Sequence, residues 1–183
     1  MRVDELLTDV PTTTADALAV FDGSMAVEPS SMIGTWRGAE LPTGHPMDGL
    51  LAASGWWGKQ FVDAETVHPL LFRTRDGAAL WAMNPILAFS GTSLGQFPAV
   101  KKLSFVRPIA ASRLALQTRV PRARLRTTRF RDVDTATMQY DQLPINDVFR
   151  RISDDAVIGA MDMRGSEQPY FFVLRRDDSL TLR

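Results

Sequence analysis

A chain of 183 residues, 45% hydrophobic and 23% charged, has the composition of one ordinary soluble domain with room for a core and a modest internal cavity. Its 21 basic and 21 acidic residues balance, which argues against a general nucleic-acid binder. The absence of cysteine removes disulfides, thiolate metal sites and a cysteine nucleophile together, and fits a cytoplasmic protein.

The first ten residues carry three acids and do not read as a secretory signal. Thr14–Gly23 reads as a short helix with a threonine cap and a glycine stop. Ala17, Leu18 and Phe21 share one face of it, which predicts a helix that lids or plugs something. From Gly34 the texture changes to strand-like pieces between turns. Residues 34–61 hold three of the four tryptophans, six of the twelve glycines and one of the two histidines. Glycine allows close packing and positive φ, and tryptophan brings a large apolar face with one N–H that needs a partner. Alternating the two predicts a floor built under a small-molecule cavity. Within that window Met47–Trp57 has helical spacing at Leu50, Leu51 and Ser54, bracketed by Gly49 and Gly55.

Val67–Arg75 and Ala78–Met83 flank Asp76-Gly77, a strong hairpin signal. The apolar run Ala78–Phe89 is interrupted by Asn84-Pro85 and is too short to cross a bilayer. Ser90–Pro98 reads as a loop. Arg122–Arg131 and Thr135–Asp141 form a second expected hairpin around residues 132–134, and Ala156–Met163 with Tyr170–Arg176 a third. Ile145, Val148, Phe149 and Ile152 stand at i, i+3, i+4 and i+7 behind Pro144, which favours a short helix there. Many short strands with regular turns and few helices predict a mainly β fold, a closed antiparallel barrel of calycin-like (lipocalin-like) type forming one domain over residues 1–183.

Gly34-Thr-Trp36 after a helix resembles the opening of lipocalin-type barrels. That resemblance implies an indole plugging the closed end beneath an arginine from the last strand, here Arg175 or Arg176. A longer set of motifs is more specific. Gly34-Thr-Trp-Arg-Gly38, Thr43-Gly-His-Pro-Met-Asp-Gly-Leu-Leu51, Gly55-Trp-Trp-Gly-Lys-Gln-Phe61 and Val67-His-Pro-Leu-Leu-Phe72 together resemble the GXWXG-domain family. The segment from Met138 through Asp162 to the Phe-rich end resembles its usual companion, a domain of unknown function. The two halves are placed at 14–75 and 119–178. The resemblance implies a barrel that holds an apolar ligand.

Lys59 follows two tryptophans and is the charge expected to face the cavity, where an inward lysine can anchor a head group; a solvated lysine covering Trp57 is the alternative. The candidate ligand-binding set is Trp36, His45, Trp56, Trp57, Lys59, Phe61, His68, Tyr140 and Phe149. His45 and His68 lack a recognised ligand spacing, so no metal is expected. Haem-binding barrels of the nitrobindin type share the Gly-Thr-Trp-Arg-Gly opening but use a histidine near the C-terminal end. This chain has none after His68, and no cofactor is expected. No nucleophile elbow, phosphate loop or dinucleotide fingerprint is present, and no catalytic residue is assigned.

Residues 101–131 carry ten basic residues and no acid. Arg122, Arg124 and Arg126 alternate along one strand face, which could meet an anionic membrane surface or pair internally. The expected function is binding of a fatty acid, phospholipid or similar hydrophobic molecule inside the barrel, with no nucleic-acid partner and with a homodimer as a further option. The alternative is an enzyme acting on a small apolar substrate in the same cavity, with His45, Asp48 and Tyr140 as acid–base groups.

Overall fold

The computed structural model describes residues 12–89 and 106–183. The loop expected at Ser90–Pro98, the first ten residues, Lys101 and Lys102 lie outside the described residues. Helix α1 spans Thr14–Gly23 as expected, and its threonine cap is Thr13. Thr13 accepts a hydrogen bond from the Asp16 N–H, and the Asp16 carboxylate accepts one from the Thr13 N–H. That reciprocal capping box satisfies two orphan donors of the first turn.

Ten strands follow. They are β1 (Met25–Ala26), β2 (Gly34–Glu40), β3 (Trp56–Phe61), β4 (Val67–Arg73), β5 (Leu80–Ala82), β6 (Ala123–Phe130), β7 (Val133–Tyr140), β8 (Ile145–Ser153), β9 (Ala156–Met163) and β10 (Tyr170–Arg176). A 3-10 turn spans Pro29–Met32, and short helices α2 (Leu50–Ser54), α3 (Pro85–Phe89), α4 (Val106–Ala111) and α5 (Arg113–Leu116) interrupt the strands. No helix among the described residues is long and apolar enough to cross a membrane.

Eight strands, β2-β3-β4-β6-β7-β8-β9-β10, pair antiparallel in chain order, and β10 pairs back onto β2 to close a barrel. β5 hangs on β4 and β1 on β8. Closure leaves no long open edge in the ring, which is how an all-antiparallel sheet of this size hides its backbone groups. The seam between β4 and β6 is thin, with one register pair, Val67 opposite Ala123. Among the described residues, α3, α4 and α5 lie between β5 and β6 in chain order. The 67–83 hairpin forms as expected, with Gly77 at φ 71. The β6–β7 turn sits at Arg131-Asp132, both with positive φ (49 and 61), one residue ahead of the expected position.

Two expectations need correction. Residues 145–152 are part of strand β8, not a helix. Ile145, Asp147 and Phe149 point into the barrel, while Val148 points outward beneath α1. Apolar residues on both buried faces, with an acid at an inward position, break the alternation and imitate helical spacing. Helix α1 does not plug the barrel. Ala17 and Phe21 pack against Val148, Ile158, Ala160 and Phe171 on its outer wall, residues that alternate with inward ones on the same strands. The C-terminal residues Leu180 and Leu182 cover another outward cluster, Trp57, Leu71, Leu80 and Ala82.

Candidate functional site

Two register slips between β3 and β4 create the centre of the barrel. Trp56 lies opposite Phe72, Gly58 opposite Leu71, and Gln60 opposite His68. A regular strand sends residues i and i+2 to the same face. The bulge at Gly58 instead lets Trp56 and Lys59, three apart, both face inward while Trp57 turns outward. Gly58 has φ 156, and a Cβ there would stand 1.9 Å from the Trp36 carbonyl oxygen. Only glycine fits. The compensating slip in β4 leaves the Pro69 carbonyl free to accept a hydrogen bond from Lys59 Nζ at 3.2 Å.

Lys59 Nζ forms an ion pair with Asp147 Oδ2 at 2.8 Å, and the two side chains are 3% and 1% exposed. Aromatic rings surround the ammonium, with centroids at 5.0 Å (Phe172), 5.4 Å (Trp56) and 5.8 Å (Tyr140). Each ring face attracts the cation. The rings continue as an edge-to-face series from Trp56 through Phe172 and Phe149 to Phe61, at centroid spacings of 5.9, 6.3 and 5.8 Å. Burial pushes the Asp147 carboxyl above its ordinary range, while Lys59 pulls it back down. Burial, aided by the Asp147 charge, pushes the Tyr140 phenol well up, so it stays protonated.

Asp147 Oδ1 and Trp56 Nε1 are buried and have no hydrogen-bond partner. A buried ion pair is poor evidence for stability, because desolvating both charges costs several kcal/mol. Unpartnered donors and acceptors beside it add to that cost. A packed apolar core would avoid both terms.

Trp36, Phe61, Tyr140 and Phe149 join Trp56 in the interior cluster. Trp36 is buried, and its indole N–H donates to the Met32 carbonyl at 2.7 Å. The Arg176 guanidinium sits 4.5 Å from the indole centroid and donates to the Ile33 and Ser31 carbonyls. Three of the expected site residues lie elsewhere. Trp57 is in the outward cluster. His68 is opposite Gln60 on the outer side, its Nδ1 unpartnered, and burial lowers its pKa. His45 is in the β2–α2 loop, with Nε2 against Ser166 Oγ at 3.2 Å, Nδ1 accepting from Met47 N–H at 3.0 Å, and its ring 5.3 Å from Tyr170.

Asp48 accepts from Thr43 N–H and Gly44 N–H in the same loop. It and His45 are not hydrogen-bonded to Tyr140 among the described residues. Tyr140 looks instead onto Lys59. Among the described residues no group of three or more His, Asp or Glu side chains gathers as metal ligands. The basic row is engaged at the surface: Arg124 with Asp141, Arg126 with Glu65, Arg129 with Asp134 and Arg131 with Asp22, while Arg122 donates to Gln142.

The sequence does not mark Asp147 as a site residue, because the spacing around it favours a helix. Its partnership with Lys59 follows once Ile145-x-Asp147-x-Phe149 is read as alternation on a strand. Phe172 carried no signal beyond its Phe-rich surroundings.

A groove of about 930 Å³ is lined by Trp56, Phe72 and Trp81 together with residues of β2, the start of β3, the β4–β5 hairpin and α4.

Residues 19–77 match the family described as GXWXG protein, and residues 121–176 match the domain of unknown function DUF4334. A crystal structure of a protein from Thermomonospora curvata is 32% identical to this chain. It aligns over 89% of this chain and 86% of its own length, with a TM-score of 0.65. The chain belongs to the GXWXG family. Comparison with curated proteins gives no match.

The motif that names the family has a physical reading here. Trp36 is buried against the Arg176 guanidinium. A Cβ on Gly34 would come within 2.2 Å of that guanidinium, and one on Gly38 within 2.1 Å of the Trp56 ring. Both glycines of the GXWXG motif are therefore clearances, one for the side chain beside Trp36 and one for the ring beside Lys59. The GXWXG segment supplies β2, β3 and β4, and the DUF4334 segment supplies β6 to β10. Lys59 comes from the first and Asp147 from the second, so the ion pair joins the two matched segments.

Proposed function

We propose that this GXWXG protein binds a hydrophobic small molecule, of the fatty-acid or similar lipid class, inside its barrel. The observation that carries the reading is the buried Lys59–Asp147 pair with Asp147 Oδ1 and Trp56 Nε1 left unpartnered among aromatic rings. Ligand sites are mostly apolar with a few placed polar groups that fix orientation. Here the rings of Trp56, Phe61, Phe149 and Phe172 offer the apolar contact. Asp147 offers an acceptor, and Trp56 a donor, to a hydroxyl or carbonyl group on the ligand.

The test has two parts. Solvent extraction of the purified protein followed by mass spectrometry is expected to recover a lipid at close to one per chain. Titration of the extracted protein with an uncharged environment-sensitive fluorophore such as N-phenyl-1-naphthylamine is expected to saturate and to quench tryptophan emission. A protein that carries no lipid and binds no apolar probe would overturn the reading.

A further inference from the structure

The groove beside Trp56 is lined with hydrogen-bond donors of one kind of charge. Arg37, Arg73, Arg75 and Arg107 stand on its walls, and no acid lines it among the described residues. All four are exposed, and none is in an ion pair with a described residue. This contrasts with the arginines of β6, which are paired with acids. The groove also takes in Trp57, more than nine-tenths buried with an indole N–H that has no partner, and the ring of Trp56. Asp177 is the acid whose field reaches Arg37 and Arg73. Its carboxylate is held low first by hydrogen bonds from Ser179 and only then by those arginines.

Guanidinium groups and indole N–H groups donate and do not accept. Four cations lining a recess that no acid lines among the described residues favour an anion, and arginine suits the planar or tetrahedral oxygens of a carboxylate or phosphate. The apolar lining suits a chain or ring attached to that head group. Trp56 belongs to both places: it lines the groove, and its ring is 5.4 Å from Lys59 Nζ.

From this we infer that the arginine-walled groove is an anion-recognising subsite, and that its ligand is an amphipathic acid with its carboxylate or phosphate among Arg37, Arg73, Arg75 and Arg107 and its apolar part on the Trp56 face. The inference adds an acid-recognising subsite to the interior-ligand reading, whose own polar anchor takes an uncharged hydroxyl or carbonyl, and it rests on that reading for where the rest of the ligand goes.

The experiment compares four probes of one chain length below their micelle concentrations: dodecanoate, dodecyl phosphate, dodecanol and dodecyltrimethylammonium. The readout is displacement of the uncharged fluorophore and, independently, calorimetry. At least one of the two acids is expected to bind about tenfold or more tighter than dodecanol, and the ammonium more weakly than the alcohol. Single Arg73→Gln, Arg75→Gln and Arg107→Gln variants on exposed positions are each expected to weaken the preferred acid by about three- to tenfold and to leave dodecanol unchanged. Raising salt is expected to erode the acid's advantage alone. Which acid wins separates a carboxylate from a phosphate ligand, and either supports the inference. Equal binding of alcohol and acids, or arginine variants that leave acid affinity unchanged, overturns the inference while sparing the interior site. Failure of all four probes to bind overturns both.

Discussion

Replacing Asp147 by leucine removes the partner of a lysine that is 3% exposed and 2.8 Å away. Breaking a buried pair by deleting one member typically costs about 3–5 kcal/mol, because the remaining charge is stranded. Lys59 would keep the Pro69 carbonyl at 3.2 Å and three ring faces between 5.0 and 5.8 Å. Each ring contributes about 0.5–2 kcal/mol, which places Asp147→Leu near the low end, at about 3 kcal/mol. For a chain of this size that corresponds to a fall in Tm of about 6–12 °C. Lys59→Met strands a carboxyl that burial already pushes towards its neutral form, so its cost should be smaller at acid pH. The double variant Lys59→Met/Asp147→Leu should return to within about 1 kcal/mol of wild type, because neither charge is then buried. Urea unfolding of wild type, both single variants and the double at constant pH measures this cycle. A double variant as unstable as the sum of the singles would refute the claim that the pair is mutually dependent inside the barrel.

Four further outcomes follow from the same geometry. In Lys59→Met the Asp147 carboxyl loses the cation that holds it down, so its folded pKa climbs further above the unfolded value of about 3.9. The folded state then binds the extra proton, so stability present at acid pH is lost as pH rises through the folded pKa; unfolding at about pH 5 and pH 8 reads the sign. His68 has its folded pKa lowered by burial, below the unfolded value of about 6.5. Its stabilising share is complete above that value and is lost as pH falls through the folded pKa, and His68→Gln should flatten that limb of the stability profile. Gly38→Ala puts a methyl group 2.1 Å from the Trp56 ring, and overpacking of this kind costs about 1–3 kcal/mol with an altered near-UV dichroism of the indole. Arg176→Ala removes the cation over Trp36 and two carbonyl contacts, which should cost about 1–3 kcal/mol and shift tryptophan emission to the red.

The barrel was legible because its turns announce themselves. Asp76-Gly77 and the break between Met163 and Tyr170 divide residues 67–176 into short strands, and Gly34-x-Trp36 marks the first one. The resemblance to lipocalin-type barrels implied an arginine of the last strand over Trp36 and left Arg175 and Arg176 open, and it is Arg176 that lies there. What escaped was set by packing on both faces of a strand. β8 buries Phe149 inward and Val148 under α1, so its pattern lost the alternation that would have declared it. The same event hid Asp147. Lys59 was legible as the inward charge, but Trp57 beside it was placed in the pocket when a bulge at Gly58 turns it outward. Bulges move one side chain to the opposite face and leave only a glycine in the sequence as a trace. His45 and His68 drew attention as rare residues, and each is accommodated locally, one by a loop and one beneath its neighbours.

The central claim is that the Lys59–Asp147 centre receives a ligand's polar group among the interior rings. The most direct measurement is the affinity of an apolar alcohol, dodecanol, for wild type and for the folded double variant Lys59→Met/Asp147→Leu, read by fluorophore displacement at fixed salt. The account predicts saturable one-to-one binding to wild type and a loss of about tenfold or more in the double variant, consistent with removing a polar anchor in a dry site. Binding of equal strength to both proteins, or none to either, would contradict it.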